Sequence, residues 1–482
     1  MRGVVIIMQL QNTKQNSRKH RCISKSMMRA IVGFVEIAIL TITYYIGWRH
    51  GYANALFPDY LVRGKYVLMG VYALILWILF HNTEGFMYGN LRKLELSLAQ
   101  WIALVLTNII TYFQLCLIAN GMVPPLPMLV ITLINLVFAF LMVCLSSAVF
   151  HKFYRPHNMV MVFGTDNALN MKLKMDTRRD KYRVNKLLSA EEDIDTICAE
   201  ILNYDAVLLN DITAETRNDI LKFCYEHNMP VYAVPKISDV LIRGAEDIQL
   251  FDTPLVLIKS TGLSRAQRFV KRILDIVLSG IGLLITWPFL LLIALAIKIE
   301  DRGPVFYRQR RATRDYREFD ILKFRSMIVD AEKFGESIPA TGKDPRITKV
   351  GRFIRAIRAD ELPQLINILK GDMSIVGPRP ERLEHVRKYA EEVPEFGYRL
   401  KVKGGLTGYA QVYGKYNTSA YDKIRLDLMY IEHYSIWLDL KIILLTLRIV
   451  FQKESTEGFD VAEENERRKE EMLKEIHHEH EE

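Results

Sequence analysis

Four apolar runs, Met28–Trp48, Tyr66–Phe80, Leu98–Ala119 and Met128–Phe150, constrain the first 150 residues more than any other feature. A bilayer is crossed by about 20 apolar residues in helical form, because a helix satisfies its backbone groups internally. The runs predict a four-helix membrane bundle, with the second, shorter run drawing on its flanks. The first run is too long for a cleavable signal, and no small-residue cleavage site follows it. The start of the chain is basic (Lys14, Arg18, Lys19, Arg21, Lys25, Arg29), Arg92 and Lys93 occupy the second loop, and Lys152 and Arg155 follow the fourth run. The third loop, Asn120–Pro127, carries no charge. The positive-inside rule then places both ends of the bundle in the cytoplasm, with Arg49, Arg63 and Lys65 pulling the other way. No ionisable residue stands out within the runs, which predicts an anchor or assembly bundle rather than a transport path.

Half of the 482 residues are hydrophobic and the formal net charge is +9. A basic surplus beside apolar runs points to anionic lipid and phosphorylated substrates, and away from nucleic acid. Cys22, Cys116, Cys144, Cys198 and Cys224 form no CxxC pair, so neither a zinc site nor a disulfide framework is expected.

From Asn158 the pattern changes. Met159–Gly164, Asp205–Asn210 and Val231–Pro235 read as strands, and Glu191–Leu202 and Ala214–His227 as amphipathic helices. This alternation predicts a small parallel α/β layer. Gly164-Thr165-Asp166-Asn167-Ala168 follows the first strand with one glycine, too few for a dinucleotide fingerprint. A Rossmann-like domain used for regulation or contacts is the expectation.

Phe269–Ile299 is a fifth apolar run with Trp287-Pro288 at its centre. Lys271 and Arg272 precede it, and Lys298, Arg302, Arg308, Arg310 and Arg311 follow it. A span would push one basic cluster outside, against the charge bias. Pro288 removes a backbone bond, at ~3 kcal/mol or more in a straight helix. A helix that bends there and returns to the same face satisfies both observations. An ordinary kinked span is the alternative, since membrane helices tolerate proline.

The next hundred residues carry the chemistry. Pro304–Gln309 and Phe319–Met327 look like short strands ending in basic residues. Asp344-Pro345-Arg346-Ile347-Thr348 forms a turn into a helix at Lys349–Ala359, where Arg352, Arg355 and Arg358 recur beside Phe353, Ile354 and Ile357. Such a stripe is a solvated face or, beside anionic lipid, an interfacial anchor. Asp360 fits an N-cap, Pro363 a first turn, and Leu362, Leu365, Ile366 and Leu369 a buried face that ends at Gly371. A carboxylate at a helix start is expected to stay ionised, which suits a nucleophile or metal ligand, although plain capping also explains it. Downstream, Gly377-Pro378-Arg379-Pro380 holds a guanidinium suited to phosphate oxygens in a stiff loop, and Lys403-Gly404-Gly405-Leu406-Thr407-Gly408 allows close backbone approach.

Six motifs in order, Lys323-Phe324-Arg325-Ser326-Met327, Asp344–Thr348, Asp360-Glu361-Leu362-Pro363-Gln364-Leu365, Lys370-Gly371-Asp372-Met373-Ser374, Gly377–Pro380 and Leu406-Thr407-Gly408-Tyr409-Ala410-Gln411-Val412, make the region from about Ser264 to Phe451 resemble the bacterial sugar transferase family. These are monotopic phosphoglycosyl transferases that load a polyprenyl phosphate with a sugar phosphate. The organisation of the whole chain is similar to that of the large members that initiate capsule or exopolysaccharide synthesis. Gly404 departs from the family pattern, where many members have proline, and Trp287 replaces the small residue often found before the membrane-helix proline.

The resemblance implies a membrane protein with an α-helical four-span bundle, a Rossmann-like α/β middle domain, and a mixed α/β monotopic catalytic domain with a re-entrant membrane helix. The corresponding segments are a basic N-terminus (1–27), the bundle (28–150), the middle domain (158–260), the catalytic domain (264–452) with its re-entrant helix (269–299), and a charged tail (453–482). It also implies that Asp360 is a covalent nucleophile toward a UDP-sugar, that Glu361 binds Mg²⁺, and that Arg355 and Arg379 lie near phosphate. Lys323 and Gln364 support them, Asp344 is an accessory residue, and Pro288 marks the membrane-helix break. The implied partners are a UDP-sugar, undecaprenyl phosphate and membrane lipids at the cytoplasmic face of the inner membrane, and a homodimer is a reasonable assembly. A processive glycosyltransferase would typically pair a DxD motif with QxxRW, a combination not found here. An inactive scaffold is the other competitor, against which the intact Asp360-Glu361 pair argues.

Overall fold

The computed structural model describes residues 24–52, 63–154, 156–165, 169–258, 262–329, 346–414 and 418–450. The basic segment before Ser24, Asp344-Pro345 and the charged tail lie outside them. The chain divides into two compact units, 1–156 and 157–482.

The first unit consists of four long apolar helices, α1 (Lys25–Gly51), α2 (Lys65–Asn82), α3 (Lys93–Ile118) and α4 (Leu126–Phe153). They coincide with the four runs, and each is long and apolar enough to cross a membrane. Their core is aromatic: Tyr44 stacks on Tyr72 with ring centroids 4.1 Å apart, beside Leu40, Trp48, Leu76 and Phe80. Tyr72 Oη donates to Asn108 Oδ1 (3.1 Å) and accepts from Asn135 Nδ2 (3.0 Å). The expectation of no ionisable residue in the runs is corrected by Glu36, which is 0 % exposed in the middle of α1. The Tyr88 hydroxyl donates to its Oε2, and Gln100 Nε2 donates to the same oxygen at 3.1 Å. One carboxyl in a run of this length barely changes its hydropathy, and only the fold shows that partners wait for it.

In the second unit β1 (His157–Phe163), α5 (Leu169–Asp176), β2 (Tyr182–Ser189), α6 (Ile194–Ile201), β3 (Ala206–Asn210), α7 (Ala214–Glu226) and β4 (Val231–Ala233) build a parallel sheet in the order β2-β1-β3-β4. Side chains of β1 alternate between two cores, Val160 and Val162 on one face and Met159 and Met161 on the other. Two-sided burial explains its near-continuous apolar run. The edge strand β2 escaped the sequence reading because Arg183, Asn185 and Lys186 interrupt its apolar pattern and face outward. Gly164 is needed after β1, since a Cβ there would stand 2.1 Å from the Asp211 carbonyl oxygen.

The following helix, α8 (Ile237–Arg243), leaves the sheet. Its Ile237 and Val240 pack with Leu263, Ile424, Leu428 and Ile431 in the core of the C-terminal region. A hairpin of β5 (Glu246–Leu250) and β6 (Thr253–Leu257) precedes α9 (Arg265–Asp301). A Ser264–Gln267 capping box starts α9 and Arg302, in the left-handed region, ends it. Helical backbone continues through Pro288.

Both ends of α9 dock on one body. Near its start Lys271 pairs with Asp439 at 2.5 Å, Arg272 donates to the Ile368 and Leu369 carbonyls at 2.6 Å, and Asp275 accepts from Ser374 Oγ (3.0 Å) and Ile375 N (2.9 Å). Near its end Ile293 and Ile297 pack with Phe324, Ile354 and Ala359, while Glu300 accepts from Lys349 N at 2.7 Å. Between them Leu284, Ile285, Trp287, Leu291 and Leu292 are exposed.

The remaining elements are the antiparallel pair β7 (Phe306–Ala312) and β8 (Glu318–Phe324), α10 (Lys349–Ala356), α11 (Gln364–Lys370), β9 (Ser374–Val376), α12 (Leu383–Glu392), β10 (Gly405–Thr407), α13 (Tyr409–Tyr413), α14 (Ala420–Glu432) and α15 (Ile436–Val450). Helix α15 buries Ile442, Leu444 and Leu445 and exposes Ile436, Trp437, Leu440 and Leu447, so it is both a core helix and an amphipathic one. Cys116, Cys144, Cys198 and Cys224 are free thiols.

Candidate active site

The acidic pair is seated by three local devices. Thr348 caps α10, its Oγ1 accepting from Gly351 N at 2.9 Å, and Gly351 leaves room for the Ser326 carbonyl, only 2.0 Å from where a Cβ would stand. Helix α10 stops at Ala356, and Arg358 turns the chain through the left-handed region (φ 54°). Asp360 and Glu361 then lie in a 3₁₀ turn, Ala359–Glu361. The expected N-cap role of Asp360 is therefore corrected: Pro363 takes the cap position of α11, and the pair sits one turn earlier. The turn follows from Arg358, whose backbone reverses the chain before α11 can start. The buried face of α11 also differs, since Gln364 and Asn367 join Leu365 and Ile368 in it. Asn367 fastens α11 to β8, accepting from Leu322 N (2.9 Å) and donating to the Asp320 carbonyl (2.8 Å). Gly371 closes the helix at φ 94°, a conformation glycine adopts without strain.

That anchoring brings the pair to Lys323 on β8. Glu361 Oε1 accepts from Lys323 Nζ at 2.9 Å and from Arg379 Nη2 at 2.8 Å. Glu361 and Lys323 are mostly buried, at 14 % and 19 % side-chain exposure, whereas Arg379 is 43 % exposed. Burial opposes the charge of Glu361, but the Arg379 and Lys323 cations outweigh it and hold its carboxyl well below the usual range. Lys323 is pushed down, because burial outweighs its attraction to Glu361. Asp360 is displaced the other way. Burial, then repulsion from Glu361, raise its carboxyl above the ordinary value against the pull of Lys323 and Arg355. Adjacent carboxyls thus have opposed environments, one held down by two cations and one raised by burial.

Asp360, Glu361, Lys323 and Arg379 come together, Arg355 lies within electrostatic reach of Asp360, and Gln364 is buried just beyond the pair. Pro288 sits in the bare middle of α9, apart from this group. Sequence reading missed the row Tyr307–Gln309–Arg311 on the face of β7 that carries Lys323 on β8. Gln309 Nε2 donates to Tyr307 Oη at 3.0 Å, and Arg311 Nη2 donates to Gln309 Oε1. Alternate polar residues in a strand whose partner face is half-buried were the available signal.

No cluster of three potential metal-ligating His, Cys, Asp or Glu side chains exists among the described residues. Mg²⁺ rarely needs one, since it is commonly held by one or two carboxylates, substrate phosphates and water. Carboxylate oxygens such as those of Glu361 and its neighbour Asp360 are the donor type a hard cation takes.

A largely exposed apolar helix rooted in an α/β domain, beside a carboxylate pair ringed by Lys323, Arg355 and Arg379, defines a membrane-associated domain whose site suits a phosphate ester. Residues 266–453 match the family model for bacterial sugar transferase, and the chain belongs to that family. Its similarity to a UDP-glucose:undecaprenyl-phosphate glucose-1-phosphate transferase of Caulobacter vibrioides is 43 % identity over 182 residues, 37 % of this chain and 68 % of the relative. A UDP-N-acetylgalactosamine-undecaprenyl-phosphate N-acetylgalactosaminephosphotransferase of Aeromonas hydrophila is 38 % identical over 255 residues, 52 % of this chain and 59 % of the relative. A UDP-glucose:undecaprenyl-phosphate glucose-1-phosphate transferase of Escherichia coli K12 is 41 % identical over 222 residues, 45 % of this chain and 48 % of the relative. The chain spans about half the length of most of the curated relatives it matches.

Proposed function

We propose that the protein transfers a sugar-1-phosphate from a UDP-sugar to undecaprenyl phosphate, releasing UMP, as the first membrane step of exopolysaccharide or capsule synthesis. The observation that carries this reading is the division of labour in the acidic pair. Glu361 is fixed by Lys323 and Arg379 and is not free to attack, whereas Asp360 has neither clamp. Asp360 Oδ attacks the sugar-linked phosphorus, and the bond from that phosphorus to the UMP oxygen breaks. A phosphate oxygen of undecaprenyl phosphate then attacks the same phosphorus, forming the lipid diphosphate and returning the Asp360 carboxylate. Splitting one displacement in two gives ping-pong kinetics. Arg379, part exposed, and Arg355 supply positive charge for the entering phosphates. Mg²⁺, held by Glu361 and Asp360, would neutralise charge on the diphosphate.

The docking of α9 at both ends supports a helix that enters and leaves the cytoplasmic leaflet on one side, with Leu284–Leu292 as its lipid-facing part. In this reading the site lies where a soluble nucleotide sugar meets a lipid phosphate. The α/β sheet domain is Rossmann-like in this reading and acts as a contact or regulatory module, and the four apolar helices span the inner membrane. Asp360→Asn is expected to abolish UMP release while the protein still folds and inserts. Substantial turnover by that variant would sink the nucleophile assignment. Cysteines placed at Phe269 and Asp301 should label from the same membrane face, and labelling from opposite faces would refute the re-entrant helix.

A further inference from the structure

The loop that carries Arg379 is gripped from the protein side by a buried ion pair. Arg399, 2 % exposed, donates from Nη2 to the Arg379 carbonyl oxygen at 3.1 Å. The same nitrogen lies 2.9 Å from Asp427 Oδ2, whose side chain is 1 % exposed. Its other terminal nitrogen is 3.9 Å from Glu381, which also faces Lys423 and Arg311 at 3.6 Å. The guanidinium lies over the Phe396 ring, 4.8 Å from its centroid. On the opposite side Gly377 N donates to the Thr407 carbonyl (2.8 Å) and Gly405 N donates to the Pro378 carbonyl (2.9 Å). The loop is thus held between β10 and Arg399, which lies on the 3₁₀ segment Pro394–Lys401 and is itself backed by Asp427 on α14.

A buried pair of this kind is a poor stabilising device. Each ion gives up several kcal/mol of hydration, and apolar side chains of similar volume often replace such pairs without loss. What an apolar pair cannot do is donate to the carbonyl of Arg379. Arg379 is itself half exposed, so its own side chain has little packing to fix its direction. Beyond its bond to Glu361, its aim is set by its backbone.

We propose that Arg399 and Asp427 are positioning residues for Arg379, fixing its peptide and thereby aiming its guanidinium at Glu361 and at the phosphate that enters beside it. This rests on the reading of Arg379 given above. The test uses the full chain in nanodiscs with two readouts, hydrogen exchange at the amides of Gly377, Gly405 and Ala312, which donate to the Thr407, Pro378 and Glu381 carbonyls, and UMP release from UDP-sugars. The double variant Arg399→Met/Asp427→Leu removes both charges and refills the space. It is expected to melt close to the wild type, to exchange at those amides at least tenfold faster, and to release UMP at least tenfold more slowly. Unchanged exchange, or release within twofold of wild type, would overturn the proposal. Arg399→Lys keeps a cation beside Asp427, but its side chain is one bond too short to set its nitrogen where Nη2 meets both Asp427 and the Arg379 carbonyl, so it should give the same loop exchange, and wild-type exchange in this variant would equally overturn it. If the wild type releases no UMP from any UDP-sugar, the functional reading fails, while the exchange arm still decides whether the pair holds the loop.

Discussion

Lys323→Met is the sharpest test of the clamp on Glu361. The substitution keeps an unbranched chain of similar length and removes the ammonium 2.9 Å from Glu361 Oε1. A hydrogen bond to a charged group contributes roughly 1.5–3 kcal/mol. Breaking a fully buried pair costs more, ~3–5 kcal/mol, but Arg379 still reaches the same oxygen at 2.8 Å, so the upper figure does not apply. The lysine is itself penalised by burial, which pushes its ammonium down despite Glu361, and methionine does not carry that cost. A net loss of about 1–2 kcal/mol results. Arg379→Met should cost less, because a pair with one partner nearly half exposed is screened by solvent, roughly 0–1 kcal/mol. The folded Glu361 carboxyl lies well below its unfolded value, so its contribution is complete above the ordinary carboxylate range. It is lost only as the pH falls through the folded value, and the gap between wild type and Lys323→Met should accordingly be full at neutral pH and close in strong acid. The assay is thermal unfolding of the purified chain in detergent at several pH values. A drop of about 2–6 °C for Lys323→Met is expected, with a smaller one for Arg379→Met. A melting point unchanged by Lys323→Met, or a reversed order of the two variants, would refute the argument.

Two further outcomes are expected. The acid limb of UMP release in a single turnover should lie above the ordinary aspartate range, because Asp360 must lose its proton to attack and its carboxyl is raised by burial and by Glu361; a rate that stays flat through that range would contradict this. Gly404→Pro should lower thermal stability by ~1–3 kcal/mol and slow UMP release, because it deletes the donation from Gly404 N to Thr313 Oγ1 (3.2 Å) and sets a Cβ 2.9 Å from that of Pro380; an unchanged melting point would show that the loop adapts.

Much of this arrangement is legible in the sequence where a residue type has one physical use. Long apolar runs announced α1 to α4 and α9, and Gly371, just past an apolar stripe, announced the end of α11. Chemistry that depends on distant partners was not legible. Glu36 looks like a blemish in an apolar run until Tyr88 and Gln100, 52 and 64 residues away, are seen to meet it. The sequence places Asp360 and Glu361 side by side as equals. Only Lys323 and Arg379, from two other segments, make them unequal. The 3₁₀ turn was hidden because it depends on the backbone of Arg358, a residue type with no preference for the left-handed region. Strand β2 was hidden because an edge strand of a two-sided sheet shows solvent enough polar side chains to blur its pattern.

Helix α8 has a consequence for how the chain can be divided. Its residues follow the last strand of the parallel sheet, yet Ile237 and Val240 complete the hydrophobic core around Ile424, Leu428 and Ile431. A fragment cut at the motif boundary near Ser264 would leave that core open along α14, the helix that bears Asp427. The smallest self-sufficient catalytic piece of this protein therefore begins upstream of Ile237. The natural seam in this half of the chain thus falls between β4 and α8, ahead of Ile237, because the sheet keeps its own cores while α8 belongs to the C-terminal one.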